Sequence, residues 1–496
     1  MNKTISEKVG IVTAGNGIKF SLSVLFGMIL ARLISKYDMG TYRQLFLLYS
    51  TLAPIFLIGI PTSIYYFIPR LGQEKRKEFI FQTINLLVMS GFLFSVFTFI
   101  SAGYISHYFN NPVLEPLLRI FSLYPFFAIS VSYLPMLAIS VGKHKVSSVT
   151  VVLTELVLNL SIIIPLLLGY DLKTAFASAV VFSSLMFLII ILYTVKTFGR
   201  WEFKLNSKSL KEQFTYSIPI GMSYIIGLLG RKVDQIVISM FYLANRFAVY
   251  SIGAVEIPVI EIFSSSINTV FLPEFSRLYT EKQNSQIISL WHKGIKKVAL
   301  LAMPIFVLLF VLARHLLVLL YTNLYAESTS IFRIYLFLLP LRIATYSVIL
   351  QGAGYTKPIF IGAVIFLLLN TVLNVVFIKW IGFAGPALAT ILCTYLLCFY
   401  YLLKDCEVLE CKLGEILPWK DITRIFSVAV FSGCFVYPLS SLENPIPVII
   451  MVSGIYLSVY TALSYKLKII ENEDFYLIAR MLGLKRNHIK GTGINS

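Results

Sequence analysis

Long apolar stretches follow one another along this chain, and every second gap between them is crowded with Lys and Arg while the intervening gaps are nearly bare. The crowded gaps include Arg70, Lys75, Arg76 and Lys77, then Lys196, Arg200, Lys204, Lys208 and Lys211, then Arg277, Lys282, Lys293, Lys296 and Lys297. The bare gaps hold only Lys36, Arg43, Lys173, Arg246 and Lys379. Short basic loops stay cytoplasmic during membrane insertion. The alternation therefore predicts an even number of crossings, with both termini in the cytoplasm.

A crossing helix needs about 20 apolar residues, and by that measure the chain holds about fourteen. Their expected extents are 9–34, 44–69, 79–102, 117–141, 146–168 and 175–196, followed by 215–241, 247–272, 295–320, 329–352, 359–378, 383–403, 424–440 and 446–465. The first run is too long for the apolar core of a signal peptide and reads as a span. Only 13% of the 496 residues are charged, against about 25% in soluble proteins. The expected class is an all-α polytopic protein of the cytoplasmic membrane. The net charge of +18 lies mostly in the cytoplasmic loops, where anionic lipid headgroups, not nucleic acid, are the expected partner.

Two segments outside the spans look interfacial: WEFKLNSKSLKEQF at 201–214 and IISLWHKGIKKV within the gap from Arg277 to Lys297. The FYLIARML stretch of the tail is amphipathic and is suited to docking on the membrane or to contacting polysaccharide assembly enzymes. The five cysteines, Cys393, Cys398, Cys406, Cys411 and Cys434, lack CxxC spacing, so no metal site, disulfide or cofactor is expected.

Punctuation repeats across 201–214. Pro54 and Pro69 are 15 residues apart, as are Pro258 and Pro273, and each pair follows a small residue and Tyr: Gly40-Thr41-Tyr42 and Ala248-Val249-Tyr250. Such spacing fits parallel repeats of six crossings, although Pro and Gly are also simply common in membrane helices. The expected organisation is an N-lobe over 1–200, an interfacial linker over 201–214, a second lobe over 215–404, two further helices with their preceding loop over 405–466, and a cytoplasmic tail over 467–496.

Ionisable groups in hydrocarbon are costly unless they face protein or water. Lys19 lies about ten residues into its helix, roughly 15 Å deep, and Glu155 is equally deep in the fifth span. The seventh span carries Arg231, Lys232 and Asp234; the eighth carries Glu256 and Glu261; the tenth carries Arg333 and Arg342. Arg231 and Asp234 share a helix face and can pair, which leaves Lys232 uncompensated. Arg32, Arg119 and Arg314 lie nearer span ends, where snorkelling to headgroups is the plainer reading. Glu155, Asp234, Glu256 and Glu261 either pair with these cations or carry a coupling ion. Cations outnumber carboxylates, so a wet interior is expected to be electropositive and to attract anions such as phosphate.

Several motifs carry a resemblance over essentially the whole chain: YDMGTYRQLF, SIPIGMSYIIGLLGRKVDQIVISMF, ANRFAVYSIG, QGAGYTKP and IGFAGPALAT. In their order and spacing the chain resembles the multidrug/oligosaccharidyl-lipid/polysaccharide exporter superfamily, in particular its polysaccharide transporters, which include the Wzx O-antigen flippases. The resemblance implies two six-helix lobes with two extra C-terminal helices. It further implies translocation of a polyprenyl-diphosphate-linked oligosaccharide by alternating access through a cationic cavity, for surface polysaccharide such as lipopolysaccharide O-antigen. Lys19, Arg231, Lys232, Arg342 and Arg333 are the expected cavity cations. Flipping of a peptidoglycan precursor is the nearest alternative. A polymerase or ligase is the rival from another class, and it is disfavoured because no acid, base and nucleophile converge and the external gaps are short. No GxxxxGK loop is present, so ATP hydrolysis by the chain is not expected.

Overall fold

The computed structural model describes residues 5–442 and 444–469. Over those residues every regular element is a helix. A backbone in hydrocarbon has no water to bond, so each segment must satisfy its own N–H and C=O groups. The helices are α1 (Ile5–Leu33), α2 (Lys36–Leu57), α3 (Gln73–Tyr108), α4 (Leu114–Ser140, in three short pieces), α5 (His144–Leu167), α6 (Leu172–Phe198), α7 (Ser207–Phe241) and α8 (Ala244–Gly253). They continue as α9 (Pro258–Thr280), α10 (Asn284–Tyr321), α11 (Ser328–Gly352, broken before Pro340), α12 (Thr356–Trp380), α13 (Gly385–Leu409), α14 (Trp419–Val436) and α15 (Pro445–Lys466).

Among the described residues, 11 helices are long and apolar enough to cross a membrane, or up to 12 when α2 and its bent continuation Ile60–Arg70 count as one. The expected crossings at 215–241 and 247–272 are helical but stand outside that number. The first carries Arg231, Lys232 and Asp234, and the second is interrupted between α8 and α9. The chain is a multi-pass membrane protein.

By its contacts the backbone forms two compact units. The first comprises Met1–Ala254, Leu320–Ile331 and Ala363–Cys393. In it α1 lies along α5, α5 along α6, α3 against α4, and α8 against α2. The last crossing is the tightest. A Cβ on Gly40 would come within 1.8 Å of the Ala244 carbonyl oxygen, so only glycine lets the two backbones meet there. Ser35 starts α2 by accepting a hydrogen bond from the Asp38 N–H at 3.1 Å. The helix ends at Ile58 and Gly59, both with positive φ (43° and 70°), and the chain turns by 55° into Ile60–Arg70.

The extended residues 201–206 are tied to α3, with Trp201 Nε1 donating to Asn85 Oδ1 at 2.7 Å and Asn85 Nδ2 donating to the Glu202 carbonyl at 3.0 Å.

The second unit comprises Val255–Leu319, Phe332–Gly362 and the chain from Thr394. Here α14 packs on α15, and α9 on Val348–Gly352. The IISLWHKGIKKV segment differs from expectation, because it forms the first turns of α10 and is no separate surface helix. Its stripe of Ile287, Trp291, Ile295 and Val298 is buried in protein, with Trp291 at 2% exposure. An apolar stripe at i, i+4, i+8 suits a protein groove as well as a lipid surface, and periodicity alone does not separate the two. The FYLIARML stretch lies outside the described residues.

Candidate functional site

Helices α1, α2, α4, α5, α6, α7 and α8 of the first unit line a cavity of about 530 Å³. Three cations line it, Lys19, Arg43 and Lys232, with Glu155 as the carboxylate among the described lining residues. The remaining wall mixes hydroxyl and amide groups with rings: Tyr42, Tyr49, Tyr124, Asn159 and Gln235 among them.

The local sequence explains how each side chain arrives there. On α2, Tyr42, Phe46, Tyr49 and Ser50 recur at i, i+4, i+7 and i+8, which is one helix face. Tyr42 meets Phe46 at a tilt with centroids 4.8 Å apart, and Tyr49 meets Tyr124 of α4 edge-on at 5.1 Å. The start of this helix is fixed by a buried amide: Asn111 Nδ2 donates to Gln44 Oε1 at 2.7 Å and to Thr41 Oγ1 at 2.9 Å, while Tyr37 donates to Asn111 Oδ1 at 2.7 Å. Arg43 is thereby held with one terminal amino group donating to the Ser251 carbonyl at 3.2 Å. Its guanidinium carbon lies 5.9 Å from the Tyr321 ring centre, and its buried Nε has no hydrogen-bond partner.

Lys19 and Glu155 face each other at 3.5 Å, with side chains 51% and 17% exposed. At that exposure the pair contributes on the order of 1 kcal/mol or less. Asn159 Nδ2 donates to the same carboxylate at 3.0 Å. Among the described lining residues three positive groups stand against one negative group, a formal excess of two positive charges. The Lys19 side chain is half exposed to the space it lines.

The other expected residues fall elsewhere. Arg231 is exposed and is not among the cavity-lining residues. The buried stripe of α7 runs through Gly230, Val233, Asp234, Val237 and Ile238, which turns Lys232 and Arg231 to different sides. Asp234 is fully buried and accepts a 2.7 Å hydrogen bond from the Tyr250 hydroxyl, a partner other than Arg231. One turn before it, the Gly230 carbonyl receives Asn370 Nδ2 at 2.7 Å. In the second unit, Arg342 and Glu256 form a half-buried ion pair at 2.5 Å. Arg333 lies over the Phe310 ring at 5.2 Å and donates from Nε to the Phe310 carbonyl at 3.2 Å. The break in α11 before Pro340 separates these two arginines. The Glu261 side chain lies outside the described residues.

The structure thus brings together Lys19, Lys232 and Glu155, and adds Arg43, which sequence reasoning left in an external gap. The available signal was the pair Ser35 and Asp38, whose spacing marks a helix start and places Arg43 about two turns inside α2.

Residues 29–330 match the family model described as "Polysaccharide biosynthesis protein". A curated relative, the capsular polysaccharide biosynthesis protein CapF of Staphylococcus aureus, is 25% identical over 159 residues, which is 30% of this chain and 40% of that protein. The chain thus matches well under half the length of this relative. Among solved structures, a lipid II flippase MurJ in an inward closed conformation aligns with a TM-score of 0.69, 18% identity, and coverage of 95% of this chain and 99% of that one. An inward-facing multidrug resistance MATE family transporter of the MOP superfamily aligns with a TM-score of 0.60 at 12% identity, over 79% of this chain and 95% of that one. At these identities the structural matches establish the fold.

Proposed function

The chain belongs to the polysaccharide biosynthesis protein family, and from that premise we propose that it is a flippase that carries a polyprenyl-diphosphate-linked oligosaccharide across the cytoplasmic membrane for surface polysaccharide assembly. The observation that supports this most strongly is the surplus of positive charge in a roomy cavity: Lys19, Arg43 and Lys232 against Glu155 in about 530 Å³. That volume is ample for a small polar headgroup. Guanidinium and ammonium groups pair with diphosphate oxygens, and such charge-assisted bonds contribute about 1.5–3 kcal/mol each. The rings of Tyr42, Tyr49 and Tyr124 offer flat faces and hydroxyls to sugars, while the prenyl chain stays in lipid.

In this reading the cavity opens alternately to each side of the membrane, by relative movement of the lobes 1–200 and 215–404 about the linker 201–214, with both termini cytoplasmic. The chain acts as a transporter and makes or breaks no covalent bond of its cargo. An inside-negative potential favours outward movement of an anionic headgroup by about 2.3 kcal/mol per charge for each 100 mV. Glu155, beside Lys19, and Asp234, beneath Tyr250, are the carboxylates placed to take part in ion coupling.

A peptidoglycan precursor shares the prenyl-diphosphate chemistry, and the identity of the accumulating lipid separates the two cargos. The test is charge reversal of Arg43 and Lys232 to Glu in cells lacking the native gene, with protein level monitored. Surface polysaccharide is expected to disappear while lipid-linked oligosaccharide accumulates on the cytoplasmic side. Export at the wild-type level removes these residues from the mechanism.

A further inference from the structure

Outside this cavity, the second unit contains a separate hollow of about 310 Å³ at the end of α10, the start of α11 and the turn after α14. Arg314, His315, Arg333, Tyr437, Ser440 and Ser441 line it, and no carboxylate is among the described lining residues. We propose that this hollow binds an anionic phosphate group at the membrane interface.

One of the two guanidiniums is held by an aromatic ring. Phe310 and Arg314 are four apart on α10 and share a face. Arg333 reaches across from α11, lies over the Phe310 ring at 5.2 Å and spends its Nε on the Phe310 carbonyl at 3.2 Å. Arg333 and the exposed Arg314 line the same hollow. Arg333 is therefore not a freely snorkelling side chain, since its planar fork is fixed before any ligand arrives.

Two like charges lining one hollow repel each other, and more strongly toward hydrocarbon than in water. A bridging anion reverses the sign of that interaction. His315 is 9% exposed, and its Nε2 lies 3.0 Å from the Leu442 carbonyl, which requires the proton on that nitrogen. Its Nδ1 is buried without a hydrogen-bond partner.

The depth fits a headgroup. Arg314 lies seven residues before the end of α10 at Tyr321, about 10 Å at 1.5 Å per residue. Tyr437, on the rim, is 62% exposed, in keeping with aromatic side chains at membrane–water boundaries. The ligand chemistry is phosphate, whether on a membrane lipid or free.

The experiment reconstitutes the full-length chain in phosphatidylcholine nanodiscs with and without added phosphatidylglycerol. Phosphatidylglycerol retained per protein is counted by native mass spectrometry while sodium pyrophosphate is titrated in. Arg314→Gln with Arg333→Gln is expected to weaken retention about tenfold, and Arg333→Lys, which keeps the charge, to restore part of it. Arg119→Gln, at an exposed pair with Glu115 in the first unit, is expected to change nothing. Displacement by pyrophosphate identifies the phosphate group alone as the ligand, and retention against pyrophosphate identifies the lipid headgroup. Should Arg333→Gln fail to fold, the exposed Arg314→Gln alone carries the test, with a loss of about threefold expected. Equal retention by wild type and a folded Arg314→Gln protein overturns the proposal.

Discussion

In the first unit Lys19, Arg43 and Lys232 share about 530 Å³ with Glu155, whereas in the second unit Arg342 is closed against Glu256 at 2.5 Å. Both regions place cations within the apolar part of the chain, yet they suit opposite purposes. The Arg342–Glu256 pair neutralises itself and joins α11 to the chain before α9. The cavity has more positive than negative groups among its described lining residues, and leaves space beside them. Depth of a charge in the membrane therefore marks a special residue without saying which kind. The local balance of charge and the volume next to it decide between a strut and a binding group.

The largest expected effect separates the two regions directly. Arg43→Glu with Lys232→Glu should weaken binding of a prenyl-diphosphate headgroup by at least about 100-fold, since two charge-assisted contacts become repulsive. Arg342→Gln should change that affinity by less than about twofold. Comparable losses from both substitutions, measured by titration of purified protein, would erase the distinction.

A smaller effect runs the other way in stability. Glu256→Gln removes the carboxylate that pairs with Arg342 and is expected to cost about 1–3 kcal/mol, read from denaturant unfolding in detergent. Glu155→Gln strands only a half-exposed Lys19, so its cost should stay below about 1 kcal/mol. The same change raises the cavity charge by one, and headgroup affinity should rise by a few-fold (about three- to tenfold). A large stability loss from Glu155→Gln would mean that the cavity pair is also a strut.

The smallest effect calibrates both. Asp171 caps α6, accepting from the Thr174 N–H at 2.9 Å, and that bond with the Thr174 hydroxyl holds its carboxyl below the ordinary carboxylate range. A lowered pKa in the folded state gives stability that is present at neutral pH and lost as pH falls below about 4. Asp171→Ala should cost about 1 kcal/mol at neutral pH, and the difference from wild type should vanish under acid. A loss that persists at low pH would point to packing and not to the cap.

Much of this molecule was legible in its sequence, because apolar length and loop charge are one-dimensional signals. The helical class and the multi-pass character came from them, the family resemblance came from short motifs in order along the chain, and the family match and the fold bear these out. That Lys19, Glu155 and Lys232 fall inside long helices was legible for the same reason. What depth does not carry is direction around the helix axis. Arg231 and Lys232 are adjacent in the chain, yet the buried stripe through Asp234 turns only Lys232 into the cavity. Arg43 was missed through a boundary, since counting apolar residues began the second span at 44 whereas the Ser35 cap begins it at Lys36. The Arg333–Phe310–Arg314 arrangement joins residues on different helices, and no spacing rule reaches across them.

The central claim is that Lys19, Arg43 and Lys232 together hold the diphosphate of the cargo. It is tested most directly by titrating a prenyl-diphosphate-linked sugar onto the purified chain in nanodiscs, wild type against Lys19→Gln, Arg43→Gln and Lys232→Gln combined. The account predicts at least about a 100-fold loss of affinity with thermal unfolding unchanged. Equal affinity in a folded triple variant would contradict it.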